Sequence, residues 1–228
     1  MTRIVAALLC LLAVALPLAA QAQATTWTEG NQYVRLTPPQ QTTVPPGKIE
    51  VMEVFSYGCP ACNAFQPVIT KLRLSLPPNA QLVYLPAAFN TAEDWPMFQR
   101  AFFAAQMLGV AERAHQAMYD AVWGSGELQT IVPGTTQLKK PQPTIEDAAR
   151  LYQRVTGVKS SDFVAMAKSF GVDSKMRAAD AQILAMQVPS TPCLIVNGKY
   201  RVNREAVGKS TDQLIELVKF LIAKDSGG

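Results

Sequence analysis

The sequence predicts an α/β protein, with a central sheet flanked by helices and interrupted by an all-helical insertion. Three observations carry this reading. A strand–helix–strand pattern runs from Ile49 to Leu85, helical periodicity holds from Thr91 to about Gln187, and strand patterning returns at Cys193–Val202. A Cys-x-x-Cys pair, Cys59-Pro60-Ala61-Cys62, stands where the first of those strands meets its helix.

The chain opens with Arg3, an apolar stretch from Ile4 to Ala20 and the small-x-small site Ala20-Gln21-Ala22, which reads as an export signal cleaved near Ala22. Ala22-Gln23-Ala24 is a second, nearly equivalent cut. Pro17 and the small residues behind it argue against an uncleaved anchor, and Leu9 before Cys10 argues against a lipid-attachment site. The mature protein is therefore expected to be exported and soluble. Of the four cysteines, Cys59, Cys62 and Cys193 survive cleavage, too few for a disulfide-stapled small fold. Twenty basic and seventeen acidic side chains remain, a net charge of +3 with no basic run beyond Lys139-Lys140, so nucleic acid is not an expected partner.

A polar, Pro-rich lead from Gln23 to Lys48 holds one short strand at Gln32–Leu36. Ile49–Phe55 is apolar on both faces except for its glutamates, as a central strand should be. Ala61 to Leu76 repeats apolar residues at helical spacing, with Pro67 expected to kink it and Pro77-Pro78 to end it. Gln81–Leu85 is the next strand. Thr91 with Asp94 offers a capping pair for a helix over Trp95–Leu108 that Gly109 stops. Further helices are predicted over Ala111–Trp123, from a Thr144/Asp147 cap to about Val155, over Ser161–Phe170 and over Asp173–Gln187. Cys193–Val196, the turn Asn197-Gly198 and Tyr200–Val202 form a hairpin, and Thr211–Ala223 is the last helix.

Two cysteines at a strand-to-helix junction can switch between a dithiol and a local disulfide. Unpaired N–H groups and the positive dipole end of the helix favour a thiolate on the first of them. Pro60 suits the first turn, where its missing N–H costs nothing. The competing reading is half a zinc site, but there is no second Cys-x-x-Cys and His115 is the only histidine, so four ligands cannot be assembled. Glu53, six residues before Cys59, is either a solvated strand carboxylate or a buried acid able to exchange a proton with Cys62. Of Val188-Pro189 and Thr191-Pro192, the second directly precedes the returning strand and is the better candidate for a cis bond held against the site. Cys193 reads as a small buried hydrophobe, His115 as a helix-surface or satisfied core histidine, and Trp95 and Trp123 as core or groove lining.

Together, the Cys-x-x-Cys after a central strand, the acid six residues before it, the proline five residues after the second cysteine and the Thr-Pro before a strand resemble the thioredoxin superfamily. Glu53-Val54-Phe55-Ser56-Tyr57-Gly58-Cys59-Pro60 and Val196-Asn197-Gly198-Lys199-Tyr200 resemble the DsbA family of periplasmic thiol:disulfide oxidoreductases, over roughly residues 48–225. The resemblance implies a thioredoxin fold, with its central mixed sheet flanked by helices. That domain is discontinuous over residues 23–92 and 188–228, after a signal at 1–22, and the inserted helical domain covers 93–187. It implies catalytic roles for Cys59 as exposed nucleophile, Cys62 as buried partner, Glu53 as the acid beneath them and Pro192 as the cis-proline. Thr191, Pro60 and Ala61 would contact substrate. Two positions depart from familiar DsbA enzymes: Ala61 replaces a thiolate-stabilising histidine, and Thr191 replaces a frequent valine. Both imply a milder oxidant.

The expected activity is donation of the Cys59–Cys62 disulfide to reduced, unfolded exported proteins, by a monomer needing no metal or organic cofactor. A membrane DsbB-like quinone reductase would reoxidise it. A disulfide isomerase or reductase is the nearest rival. Isomerases of the DsbC type share the Thr191 feature but carry an N-terminal dimerisation domain, for which about two dozen residues leave little room here. A Cu(I)-binding thiol protein is the rival of another class, and it lacks the Met- or His-rich segment that would support it.

Overall fold

The apolar run Ile49–Phe55 forms a seven-residue strand buried at every position, because it is covered on both faces. In the computed structural model, which describes residues 26–208 and 210–227, the chain order is β1 (Tyr33–Arg35), β2 (Ile49–Phe55), α1 (Pro60–Ser75), β3 (Ala80–Pro86), α2 (Trp95–Met107), α3 (Ala111–Tyr119), α4 (Ile145–Thr156), α5 (Ser160–Ala167), α6 (Phe170–Ala185), β4 (Cys193–Val196), β5 (Tyr200–Val202), α7 (Arg204–Val207) and α8 (Thr211–Ser226). The expected export signal and Cys10 lie outside the described residues. No described helix is long and apolar enough to cross a membrane.

The five strands form one mixed sheet in the order β1-β5-β4-β2-β3. β2 runs parallel to β3, as the intervening α1 requires, and antiparallel to β4. The β4–β5 hairpin turns at Asn197 (φ 50°) and Gly198 (φ 63°), the two left-handed residues that a type I′ turn demands. A Cβ at residue 198 would overlap the Gln40 carbonyl oxygen, so glycine is required there for space as well.

The alternation of β2 splits its side chains between two cores. Ile49 and Val51 pack with Phe65, Ile69 and Leu72 of α1 and with α8. Met52 and Val54 pack with the group of helices carried between β3 and β4. Each fully buried side chain of this size contributes roughly 1.5–3 kcal/mol. Glu53 shares the α1 face with Val51, an exception that matters below.

Three expectations need correction. Thr91 and Asp94 do not cap α2: Asp94 is left-handed (φ 52°) and its side chain makes no capping bond. Asn90 instead shapes that turn, its Oδ1 accepting from Glu93 N at 3.2 Å. The single helix expected over Ala111–Trp123 becomes α3 followed by a π-helical turn at Asp120–Gly124, closed by Ser125 N donating to Asp120 O at 2.8 Å. The wider turn brings Trp123 Nε1 to the Tyr57 carbonyl at 2.8 Å, a bond that offsets its poorer packing. Finally, α6 starts three residues early because Ser169 caps it, its Oγ accepting from Val172 N at 3.3 Å. Pro67 lies inside α1 without ending it.

Candidate active site

The loop Ser56-Tyr57-Gly58 carries the chain from the buried end of β2 to the start of α1. Gly58 N donates to Ser56 Oγ at 3.2 Å and Cys59 N to Ser56 O at 3.1 Å, which pins the turn. Gly58 has no room for a side chain, since a Cβ would lie 2.6 Å from Trp95 Nε1. Cys59 is then the N-cap of α1, with extended backbone (φ −86°, ψ 116°) and Pro60 next in the first turn. Its Sγ accepts from Cys62 N at 3.3 Å, the bond a serine or aspartate oxygen usually makes at this position.

The two cysteines are chemically unlike although three residues apart. Neither is disulfide-bonded in this structure. The Cys59 thiol is held down to about 6 from an ordinary value of 9.0. The largest cause is a hydrogen bond from the Cys62 thiol. Bonds from the Thr191 side chain and the N–H groups of Cys62 and Ala61 add to it, while burial opposes them. The Cys62 thiol goes the other way, pushed far up by burial first and by the hydrogen bond it donates to Cys59 second. The resemblance implies an exposed Cys59, but the structure leaves it only 4% exposed, against 0% for Cys62. Thr191 covers it, its carbonyl accepting from the Cys59 thiol at 3.5 Å. Pro60 and Ala61, between the cysteines, are the exposed residues of the motif.

The Thr191–Pro192 bond is cis, whereas Val188–Pro189 is not among the cis bonds of the described residues. Glu53 stands opposite Leu194 of β4 and Tyr84 of β3, fully buried beneath the α1 start. Neither of its carboxylate oxygens has a hydrogen-bond partner. Burial raises its pKa to about 8, the Cys59 charge adds to the rise, and Arg204 and Arg73 oppose it. Thus Glu53, Cys59, Cys62, Thr191 and Pro192, scattered along the sequence, meet at one end of the sheet. Cys193, next to the cis bond, is buried and its thiol is pushed up to about 11, mainly by burial, which leaves it a poor nucleophile. Among the described residues no group of three or more His, Cys, Asp or Glu side chains is placed to hold a metal ion.

No protein-family model matches the chain. The thiol:disulfide interchange protein DsbA of Pseudomonas aeruginosa is 32% identical over 204 residues, covering 90% of this chain and 88% of that one. The chain belongs to the DsbA family. It is a thiol:disulfide oxidoreductase with a thioredoxin-like fold. The DsbA of Azotobacter vinelandii is 31% identical over 196 residues, 86% of this chain and 83% of that one. The crystal structure of DsbA from Xylella fastidiosa superimposes with a TM-score of 0.75 at 28% identity, covering 88% of this chain and 98% of that one.

This DsbA-family site also contains residues that the sequence pattern did not place beside the cysteines. Of the two readings of His115 the core one holds, in part: it is 6% exposed, with Nδ1 3.0 Å from the Tyr57 hydroxyl but Nε2 unpartnered. Burial, followed by the Arg73 charge, lowers its pKa to about 3, so it is neutral at any physiological pH. Its ring packs on Tyr84 at 4.2 Å between centroids and edge-on to Tyr119 at 5.3 Å. With Trp123 on the Tyr57 carbonyl and Trp95 against Gly58, the helices behind the sheet clamp the active-site loop. The only sequence signals were that His115 is the sole histidine and that Tyr57 abuts the motif.

Proposed function

We propose that this oxidoreductase runs chiefly as a disulfide donor to reduced, unfolded exported proteins in the periplasm. A substrate thiolate attacks Cys59 Sγ, the Cys59–Cys62 bond breaks, and Cys62 leaves as a thiolate that takes a proton from Glu53. A second substrate thiolate then attacks the substrate sulfur of the mixed disulfide, and Cys59 departs as the thiolate. The substrate dithiol has lost two electrons and two protons; the cysteine pair has gained the electrons. Thr191 and Pro192 dock the substrate backbone, and Pro60 and Ala61 form the exposed rim beside the reacting sulfur. A DsbB-like membrane quinone reductase restores the disulfide, and the protein works as a monomer.

The reading rests on one observation above the others: the hydrogen bonds at the α1 start lower the Cys59 pKa to about 6, while burial raises that of Cys62. A thiolate held in this way is a good leaving group, which drives the second step towards the reduced enzyme. Glu53 near 8 still carries its proton at neutral pH and so can give it to Cys62. The test compares refolding of a reduced substrate by oxidised protein with refolding of a scrambled one by reduced protein. Faster oxidation of the reduced substrate is expected, and faster rescue of the scrambled one would replace the donor reading with an isomerase.

A further inference from the structure

Beside the cis bond a cavity of about 690 Å³ opens, walled by Thr191 and Pro192 on one side and by Arg201, Asn203 and Arg204 on the other. Since Cys59 Sγ lies 3.5 Å from the Thr191 carbonyl, the cavity begins one residue away from the reacting sulfur. A substrate cysteine docked on Thr191 and Pro192 brings its neighbours within reach of this wall.

The wall is charged in an uneven way. Arg204 is held with its guanidinium 4.3 Å above the ring of Phe65 on α1, a cation–π contact that positions the charge without neutralising it. Arg201 Nε is buried with no hydrogen-bond partner. Among the described residues neither arginine makes an ion pair, although seven other basic side chains do. Glu205 is the one acid of the lining, and it is exposed and likewise outside every ion pair. Arg204, held over Phe65, and the half-buried Arg201 both line the cavity without an ion pair, and two such guanidinium groups can receive a carboxylate.

We propose that Arg204 and Arg201 form a selectivity site for exported polypeptides that carry an aspartate or glutamate beside the reacting cysteine. The inference deepens the disulfide-exchange reading and rests on it. A carboxylate entering the cavity gains charge-assisted hydrogen bonds, and a lysine there meets repulsion, so the pair sets which cysteines are oxidised first.

The test uses the oxidised protein and short dithiol peptides identical except for Asp, Asn or Lys flanking both cysteines. Reduction of the Cys59–Cys62 disulfide is followed by acid quench and mass spectrometry. Each rate is divided by that peptide's rate with the uncharged bis(2-hydroxyethyl) disulfide, which removes the effect of the flanking charge on the peptide thiols. The ratio of the Asp to the Lys peptide should be about fivefold at low salt, the worth of a partly exposed ion pair, and should shrink as salt is added. Arg204→Gln should cut the ratio and Arg204→Lys should restore most of it. Because the ratio is taken within each protein, a general loss of rate in a variant cancels. A ratio of one or below in the unmodified protein, or one unchanged in both Arg204→Gln and Arg201→Gln, would overturn the proposal. Failure of every peptide to reduce the disulfide would instead sink the exchange reading, and this inference with it.

Discussion

Helices α1 and α4 begin with the same hydrogen bond. Cys62 N donates to Cys59 Sγ at 3.3 Å in α1, and Asp147 N donates to Thr144 Oγ1 at 3.3 Å in α4. In α4 the Asp147 carboxylate accepts in turn from Thr144 N at 2.7 Å, which completes a capping box, and Glu146 adds a second acid to the first turn. The Asp147 carboxylate is charged at neutral pH as any aspartate is, and the Thr144 bonds hold its carboxyl lower still. In α1 the first turn contains no acid, and the cap is a sulfur that becomes a strong acceptor only on losing its proton. The α4 start is settled once the chain folds. The α1 start is settled only when Cys59 is a reduced thiolate, so part of its capping free energy is tied to the redox state of the pair.

The largest way to break this comparison is at the caps themselves. Cys59→Ser keeps a neutral N-cap but loses the stabilised thiolate, so it should match the reduced parent below about pH 6, fall behind it as pH rises, and abolish disulfide transfer. Cys62→Ser should instead trap a mixed disulfide at Cys59 that mass spectrometry detects, since the internal escape route is gone. A Cys59→Ser protein that still oxidised substrate would end the comparison.

Glu53 sharpens it through pH. With its carboxyl raised to about 8 from 4.5, the folded state keeps a proton that the unfolded chain releases. Stability present below about pH 4.5 is therefore lost as pH rises towards 8. The Cys59 thiol has the opposite sign. Depressed to about 6 from 9.0, it contributes stability that is full above pH 9 and lost as pH falls through 6. Oxidised protein lacks the thiolate and keeps the burial of Glu53, so denaturant unfolding of that form isolates the carboxyl. Glu53→Gln should flatten the fall and leave the variant more stable than the parent at pH 8, by on the order of several kcal/mol. An unchanged pH profile would mean that Glu53 is not carrying a raised pKa.

Thr144→Ala removes the settled cap. It should cost about 1 kcal/mol in denaturant unfolding and leave the rate of disulfide exchange untouched. The smallest effect belongs to Ala61→His, which adds a charge at the exposed rim of the pair. It should lower the Cys59 pKa further and make the protein a stronger oxidant in a glutathione redox buffer, and a raised pKa would contradict the capping argument.

Much of the site was legible in the sequence because it is built on local pattern. The apolar run before Cys59, the helical spacing after it and Thr191-Pro192 against the strand Cys193–Val196 were enough to place the pair, the acid and the cis bond together. The Thr144/Asp147 box was readable for the same reason, as both halves lie within one turn. What was not legible depends on contacts between distant segments. Thr191 shields Cys59 from solvent across a gap of 132 positions. His115 meets Tyr57 across 58, and Trp123 reaches the Tyr57 carbonyl across 66 only because a π turn widens the helix end. Thr91 and Asp94 show the converse, a correct capping pattern overruled where Trp95 packs against Gly58.

The central claim is that the α1 start separates two identical side chains into a thiolate and a thiol. Thiolate absorbance of the reduced protein against pH tests it directly, with Cys62→Ser to assign the first group. One thiol should ionise near pH 6 and the Cys62 thiol should stay protonated through pH 9. Two thiols ionising together near the ordinary value of 9.0 would contradict the account.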